Sequence, residues 1–414
     1  MNETSPAPSL ADQLLDLTDD AIRQDPSDLY RRFLAECPVS RSRDGNWIIS
    51  RHQDVKELLG DDGKVWFREP TIPMVIGAGA HSNATMKKTL FVRTMGDMLL
   101  TRDPPTHTRL RGLIAKAFQV GAIEERGPAI QAVVDRIIDD IAPRSGGDLL
   151  RDYALPIPVR VMSDLLGFSV DYESFLAEFT DITVEMGGPG NKSPALIAHA
   201  EEMIAKFRDM IDGIIESRRN DRRNDLLSAL IAVEEEGGRL SRDELIATCI
   251  MLHVAGHETT GNQIANGMAL LLSHPDQWQA LCEDPELVPN AVEEILRICA
   301  SARIAQPRVA REDRVFSGVT IPAGEQVIPV QAISNRDPEI FQDPDRFDIR
   351  RKPNRHIAFG YGVHSCIGLV LARMETRIAI AALARRMPTL RLAGELNWRK
   401  AFQVRALTAL PVRW

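Results

Sequence analysis

Cysteine is scarce in this chain. Five occur in 414 residues and none forms a Cys-x-x-Cys pair, which argues against a disulfide framework or a structural zinc site and for a reducing compartment. The start, Met-Asn-Glu-Thr-Ser, lacks a basic-then-apolar signal, and no apolar run approaches the roughly 18 residues of a membrane span. A cytoplasmic protein without a membrane anchor is therefore expected. A formal net charge of −8 argues against nucleic acid as a partner. No Gly-x-Gly-x-x-Gly opens a strand-helix unit, so no bound flavin or nicotinamide is expected. Linkers, low-complexity stretches and repeats are also missing, which favours one domain over residues 1–414, with 1–20 as a poorly ordered tail.

What is present centres on Phe359-Gly360-Tyr361-Gly362-Val363-His364-Ser365-Cys366-Ile367-Gly368. Glycines at 360 and 362 let the backbone turn sharply and leave room for a flat ligand. Apolar positions 367, 371, 374 and 378 then recur at helical spacing, so Cys366 is expected at a helix N-terminus that lowers its thiol pKa. A buried structural cysteine needs neither flanking glycines nor a histidine two positions before it.

Ser241 and Glu244 form a capping box, and no strong breaker follows before Leu272. Within that long helix lies Ala255-Gly256-His257-Glu258-Thr259-Thr260. Gly costs about 1 kcal/mol relative to Ala, and the Thr259 hydroxyl can reach the Ala255 carbonyl, so a kink with a polar pocket is expected. Glu294-Ile295-Leu296-Arg297 sets an acid and an arginine three apart on another helix, usually a solvated pair. In Asp103-Pro104-Pro105, Asp reads as an N-cap, with His107 and Arg111 on one face of the helix behind it. A hairpin signal surrounds Asp44-Gly45, more strands are expected from Val315 to Val330, punctuated by Gly318 and Pro322-Ala323-Gly324, and the remainder reads mainly helical. Two irregular segments, 66–102 and 187–191, are long enough to be functional loops.

The decapeptide around Cys366 resembles the haem-binding loop of the cytochromes P-450, and the other motifs follow from Asp103 to Gly368 in that family's order. The resemblance implies a mainly α fold with small β-sheets, haem b lying between the long kinked helix and the cysteine loop. It makes Cys366 the iron ligand, a thiolate that pushes electron density onto the metal. His107, Arg111, Arg308 and His364 would bind the propionates, with Phe359, Gly360 and Gly368 completing the loop. Glu258 and Thr259 would deliver protons, with His257 as an additional titratable group. Glu294, Arg297 and Arg346 would brace the haem side. Met251, Val254 and Ala255, with Met95, Met98, Ile304 and Phe402, would line an apolar substrate pocket. Lys87, Lys88 and Arg93 lie in a loop from which they could anchor a carboxylate, although solvated charges are the default there.

The function implied is a soluble bacterial-type monooxygenase inserting one oxygen atom from O2 into a C–H or C=C bond of a terpenoid, polyketide or fatty-acid-like compound. A haem-thiolate peroxygenase or ligand-binding sensor would not need Glu258-Thr259, and a helical binding protein without haem would make Cys366 an ordinary thiol. Electrons would come from NAD(P)H through a separate acidic ferredoxin, or a flavodoxin, with its reductase. Arg109, Lys116, Arg350, Arg351, Lys352 and Arg355 form the expected docking patch.

Overall fold

Helix Arg242–Leu272 is the longest element and is buried for most of its length, polar residues included. Its start is the expected capping box: Ser241 accepts from the Glu244 backbone while Glu244 reaches back to the Ser241 N–H. A helix buried on all sides needs neighbours on all sides, and helices Pro156–Leu166, Val288–Cys299 and Leu369–Arg386 pack against it. In this computed structural model the described residues are 8–61, 63–68, 89–168, 172–187, 192–223, 225–237 and 239–414. Lys87, Lys88, the centre of the 66–102 segment and positions 188–191 lie outside them.

Glycine sets how closely these helices approach. A Cβ on Gly256 would meet the Met162 sulfur at 2.9 Å, and one on Gly261 would meet Leu155 Cδ2 at 2.8 Å. At Gly256 that contact is a flexible side chain that can yield, whereas a Cβ on Gly261 would also lie 3.1 Å from the Leu155 Cα, so the close crossing requires glycine at 261. The largest apolar cluster fills the space between these helices. A second lies between the N-terminal helices and Ile328, Val330 and Phe402, and a third lies under the main sheet.

The sheets are small, as expected for a mainly α fold. Five strands run in the order Val39–Arg41, Trp47–Ile49, Gln326–Pro329, Arg308–Ala310, Trp66–Phe67. The first pair is the hairpin expected around Asp44-Gly45, with Ser40 opposite Ile48. Where further strands are expected, Arg314–Phe316 pairs antiparallel with Val319–Ile321 across Gly318, whose φ is +80°. Near the C-terminus, Asn397–Trp398 pairs with Leu407–Ala409, carrying the turn that contains Arg399 and Phe402.

Three local expectations need correction. Within the stretch 1–20, expected to be a poorly ordered tail, Leu10–Leu15 is a helix with Ser9 and Asp12 as a capping box; Leu10 and Leu14 are buried, which anchors it. Asp103 is not the N-cap of helix Thr106–Ile114. Pro105 takes that place, and the Asp103 carboxylate accepts the Arg68 backbone N–H at 2.8 Å instead. The helix after the cysteine starts at Leu369, beyond the residue after the sulfur.

Candidate active site

Cys366 is held by its backbone, whose N–H donates to the Phe359 carbonyl at 2.8 Å and closes the loop. Gly360 and Gly362 both have positive φ, +74° and +71°. At Gly362 the missing Cβ makes room for protein: it would lie 2.3 Å from the Leu59 carbonyl oxygen. The loop is therefore seated on helix His52–Gly60. Burial pushes the Cys366 thiol up, while the Gly368 N–H and the charges of Arg111 and Arg373 pull it back. The lowered thiol expected from the sequence is thus reversed in the protein alone. The helix begins too far along to dominate, and desolvation wins.

Beside this loop the propionate candidates converge. The His107 and His364 rings lie 3.9 Å apart, centre to centre. Burial lowers both pKa values, that of His107 to about 4, and the Arg111, Arg68 and Arg308 charges add to each fall. Arg308 is fully buried, drops to about 10 through burial, and keeps Nη2 without a partner; both His107 nitrogens are likewise buried and unpaired. Among the described residues no carboxylate forms an ion pair with Arg111 or Arg308. Two neutral imidazoles and a group of guanidiniums with spare buried donors fit a flat group carrying two carboxylates, which is what haem presents. Arg68 belongs to this set, although no motif marks it in the chain. It is buried, with Nη1 on the Leu100 carbonyl at 2.7 Å.

On the central helix the Thr259 hydroxyl donates to the Ala255 carbonyl at 2.6 Å, as expected. Ala255 and Thr259 are more open than Glu258 and Thr260 beside them and front accessible space. Glu258 is buried, and that burial raises it to about 7, with Arg399 opposing and Asp181 reinforcing the rise. Arg399 bridges the two carboxylates, 3.3 Å from Glu258 and 3.0 Å from Asp181. His257 is also buried and falls to about 4, with Nδ1 unpartnered. Arg399 was not foreseeable, since 141 positions separate it from Glu258.

The brace on the opposite side is fully buried. Arg297 grips Glu294 through Nε and Nη2, both at 2.8 Å, and its other N–H groups reach the carbonyls of Asn335, Pro344 and Arg346. Arg346 contributes only that carbonyl; its side chain is 69% exposed. The second cation is Arg351, whose Nε reaches Glu294 at 3.0 Å, and Asn354 adds a further donor. Arg351 therefore leaves the docking patch for the brace, because a carboxylate with several lone pairs selects the guanidinium that its loop presents. Adjacent Glu293, unforeseen, holds Arg373, Arg377 and His356, and despite its burial these partners keep it at about 2. Arg373 in turn lies 4.6 Å from the ring centre of Phe359.

Of the pocket candidates, Met95, Met98 and Met251 are buried in the main cluster, with Val254 packed against it. Phe402 and Ile304 belong to the second cluster instead. Phe402 also lines a cavity of about 900 Å3 between the Glu173–Gly187 helix end, Leu196 and the C-terminal hairpin. Arg93 is exposed. Arg109, expected in the docking patch, is committed to Glu244 and the Arg239 carbonyl.

A family model described as Cytochrome P450 matches residues 191–387. Cytochrome P450 107B1 of Saccharopolyspora erythraea is 38% identical over 413 residues, covering 95% of this chain and 96% of the relative. The Streptomyces venezuelae cytochrome P450 monooxygenase PikC is 39% identical over 402 residues, 94% of this chain and 91% of the relative. Among solved structures, myxobacterial cytochrome P450 CYP267B1 in complex with myristic acid superposes with a TM-score of 0.87 at 36% identity, covering 96% of this chain and 98% of that one.

Proposed function

The chain belongs to the cytochrome P450 family as an enzyme of the oxygenase type, and from that premise we propose that it inserts one oxygen atom from O2 into a C–H or C=C bond of an elongated lipophilic compound. The terpenoid, polyketide and fatty-acid-like classes all suit an apolar, methionine-rich wall. The myristic acid bound by a structural relative favours the last of these. Site residues run from Arg68 to Arg399, which supports reading the chain as one catalytic domain. Among the described residues no helix is long and apolar enough to cross a membrane.

Cys366 is the proposed iron ligand, and the haem is haem b. Arg68, His107, Arg111, Arg308 and His364 hold its carboxylates, with Phe359, Gly360 and Gly368 shaping the loop. Bound haem supplies O2 activation and transfer of the oxygen atom. The protein supplies the protons. Glu258, close to half ionised at neutral pH, is matched to take a proton from Arg399-ordered solvent and release it inward. The Thr259 hydroxyl spends its hydrogen on Ala255, so its oxygen is turned into an acceptor that holds a proton-bearing group beside Glu258. Arg297 and Arg351 on Glu294 keep the proximal side rigid. Electrons come from a separate acidic ferredoxin or flavodoxin with its reductase, docking at exposed Lys116, Arg350, Lys352 and Arg355.

The observation that carries this reading is the spare-donor cradle of His107 and Arg308 beside the Cys366 loop. Its test is the reduced, CO-bound spectrum of haem-loaded protein. Wild type should show the strongly red-shifted Soret band of thiolate ligation, and Cys366→His should lose it. Fully loaded wild type without that band would refute the ligand assignment.

A further inference from the structure

Arg303 is a buried cation that the oxygenase reading leaves unused. It is 9% exposed and its Nε has no partner; among the described residues no carboxylate pairs with it. Backbone pairing fixes its position. The Arg303 N–H donates to the Gln403 carbonyl at 2.9 Å, the Arg405 N–H donates to the Ser301 carbonyl at 2.7 Å, and Ala302 bridges Val404 between them.

This pairing brings Arg303, Arg405 and Arg23 around one small cavity of about 20 Å3. Arg405 is occupied: it donates to the carbonyls of Arg23 and Gln24 at 2.6 and 2.8 Å and stacks on Trp398 at 3.6 Å. Arg23 pairs with Asp20 through Nη2, yet its Nε and Nη1 are buried without partners. Asp16, the acid lining the cavity, accepts from the Thr18 backbone and hydroxyl at 2.8 and 2.6 Å. Two guanidiniums with orphaned buried N–H groups therefore share a space with room for one small polar group. Leaving such donors unpaired is costly, and a planar fork is shaped for a carboxylate.

The small cavity shares Leu17, Arg23, Trp398 and Arg399 with the 900 Å3 cavity that Phe402 lines. A charged corner thus adjoins a roomy, partly apolar one. We propose that Arg303 and Arg23 form an anion subsite that takes the carboxylate of an elongated lipophilic substrate, the chain lying along the larger cavity toward Phe402. This rests on the oxygenase reading and narrows its substrate class to amphiphiles with an anionic end.

The test compares dodecanoic acid, its methyl ester and inorganic phosphate on haem-loaded protein, reading both the substrate-induced spectral shift and the thermal midpoint. The acid should bind at least about tenfold more tightly than the ester, the scale of one charge-assisted hydrogen bond. Arg303→Gln should bring the two within about twofold by weakening the acid alone, and Arg303→Lys should restore part of the preference. Arg23→Gln provides an independent variant should Arg303→Gln fold poorly, and ester affinity reports an intact pocket. Equal affinity for acid and ester in wild type would overturn the subsite. So would a preference that survives both Gln variants. Phosphate raising the midpoint of wild type but not of Arg303→Gln, without any preference for the acid, would mean a free-anion site and would also overturn the proposal. Loss of the thiolate CO band would refute the oxygenase reading instead, and the thermal arm would still decide the subsite.

Discussion

Arg399 ties Glu258 to the protein surface. One guanidinium reaches the buried carboxylate at 3.3 Å and Asp181, 68% exposed, at 3.0 Å. Because burial raises Glu258 and the Arg399 charge opposes the rise, the two neighbours have opposite effects. Arg399→Gln should move the ionisation of Glu258 above about 7 by on the order of one unit, and Asp181→Asn should move it below. The pH profile of product formed per NAD(P)H consumed reports this midpoint. A profile unmoved by either change would detach Glu258 from the proton path.

Thr259→Ala removes the acceptor oxygen held over Ala255 and leaves the helix its backbone bonds. Haem and substrate binding should persist. Product yield should fall by on the order of tenfold or more as reducing equivalents leave as hydrogen peroxide. Coupling equal to wild type would exclude Thr259 from the mechanism.

Glu294, Arg351 and Arg346 should separate cleanly. Glu294→Gln breaks a fully buried ion pair and should cost about 3–5 kcal/mol, with loss of haem-loaded protein. Arg351→Gln should cost less, its partner keeping Arg297. Arg346→Gln, exposed and linked through its carbonyl, should stay within about 0.5 kcal/mol. Denaturant unfolding of the three variants orders them, and an Arg346 effect as large as that of Arg351 would contradict the geometry.

Electron delivery should depend on Lys116, Arg350, Lys352 and Arg355, all exposed. Reversing Lys116 and Arg350 to Glu should slow first-electron transfer from an acidic ferredoxin by on the order of tenfold at low salt, and the wild-type rate should fall as salt rises. Stopped-flow reduction measures both. Indifference to charge and salt would move the docking surface elsewhere.

Glu375 offers a stability test. It is buried on helix Leu369–Arg386, its Oε2 has no partner, and burial raises it from 4.5 to about 8. Between those values the folded state holds a proton that the unfolded chain has released. Wild-type stability should therefore fall as pH rises from about 4.5 to about 8 and level off above. Glu375→Gln should remove this contribution and stabilise the protein at pH 8 by on the order of 2–4 kcal/mol. A variant less stable than wild type at pH 8 would show that the carboxylate has an undetected partner.

Short-range features were legible in the sequence: the Ser241 capping box, the hairpin at Asp44-Gly45, the Thr259 bond to Ala255 and the pairing of Glu294 with Arg297 all depend on fixed local spacing. The convergence of His107, Arg111, Arg308 and His364 was legible only through resemblance. Arg68, Arg351 and Arg399 were not. Each is one arginine among many, and its partner is decided by the path of a distant loop. Arg346 and Arg351, five residues apart, show the limit: spacing says nothing about which side chain turns inward. The thiol of Cys366 differs, since a helix end is visible in local spacing and the burial that opposes it is not.

The contrast between Gly261 and Ala255 bears on how substrate range can evolve. Position 261 is closed against backbone, since a Cβ there would lie 3.1 Å from the Leu155 Cα, so a side chain pushes two segments of the core apart. Position 255, on the same helix, is exposed rather than packed against another helix. Adaptation to new substrates therefore has a more tolerant position and a closed one on the same helix, and variation in pocket volume should accumulate at 255 while 261 stays fixed.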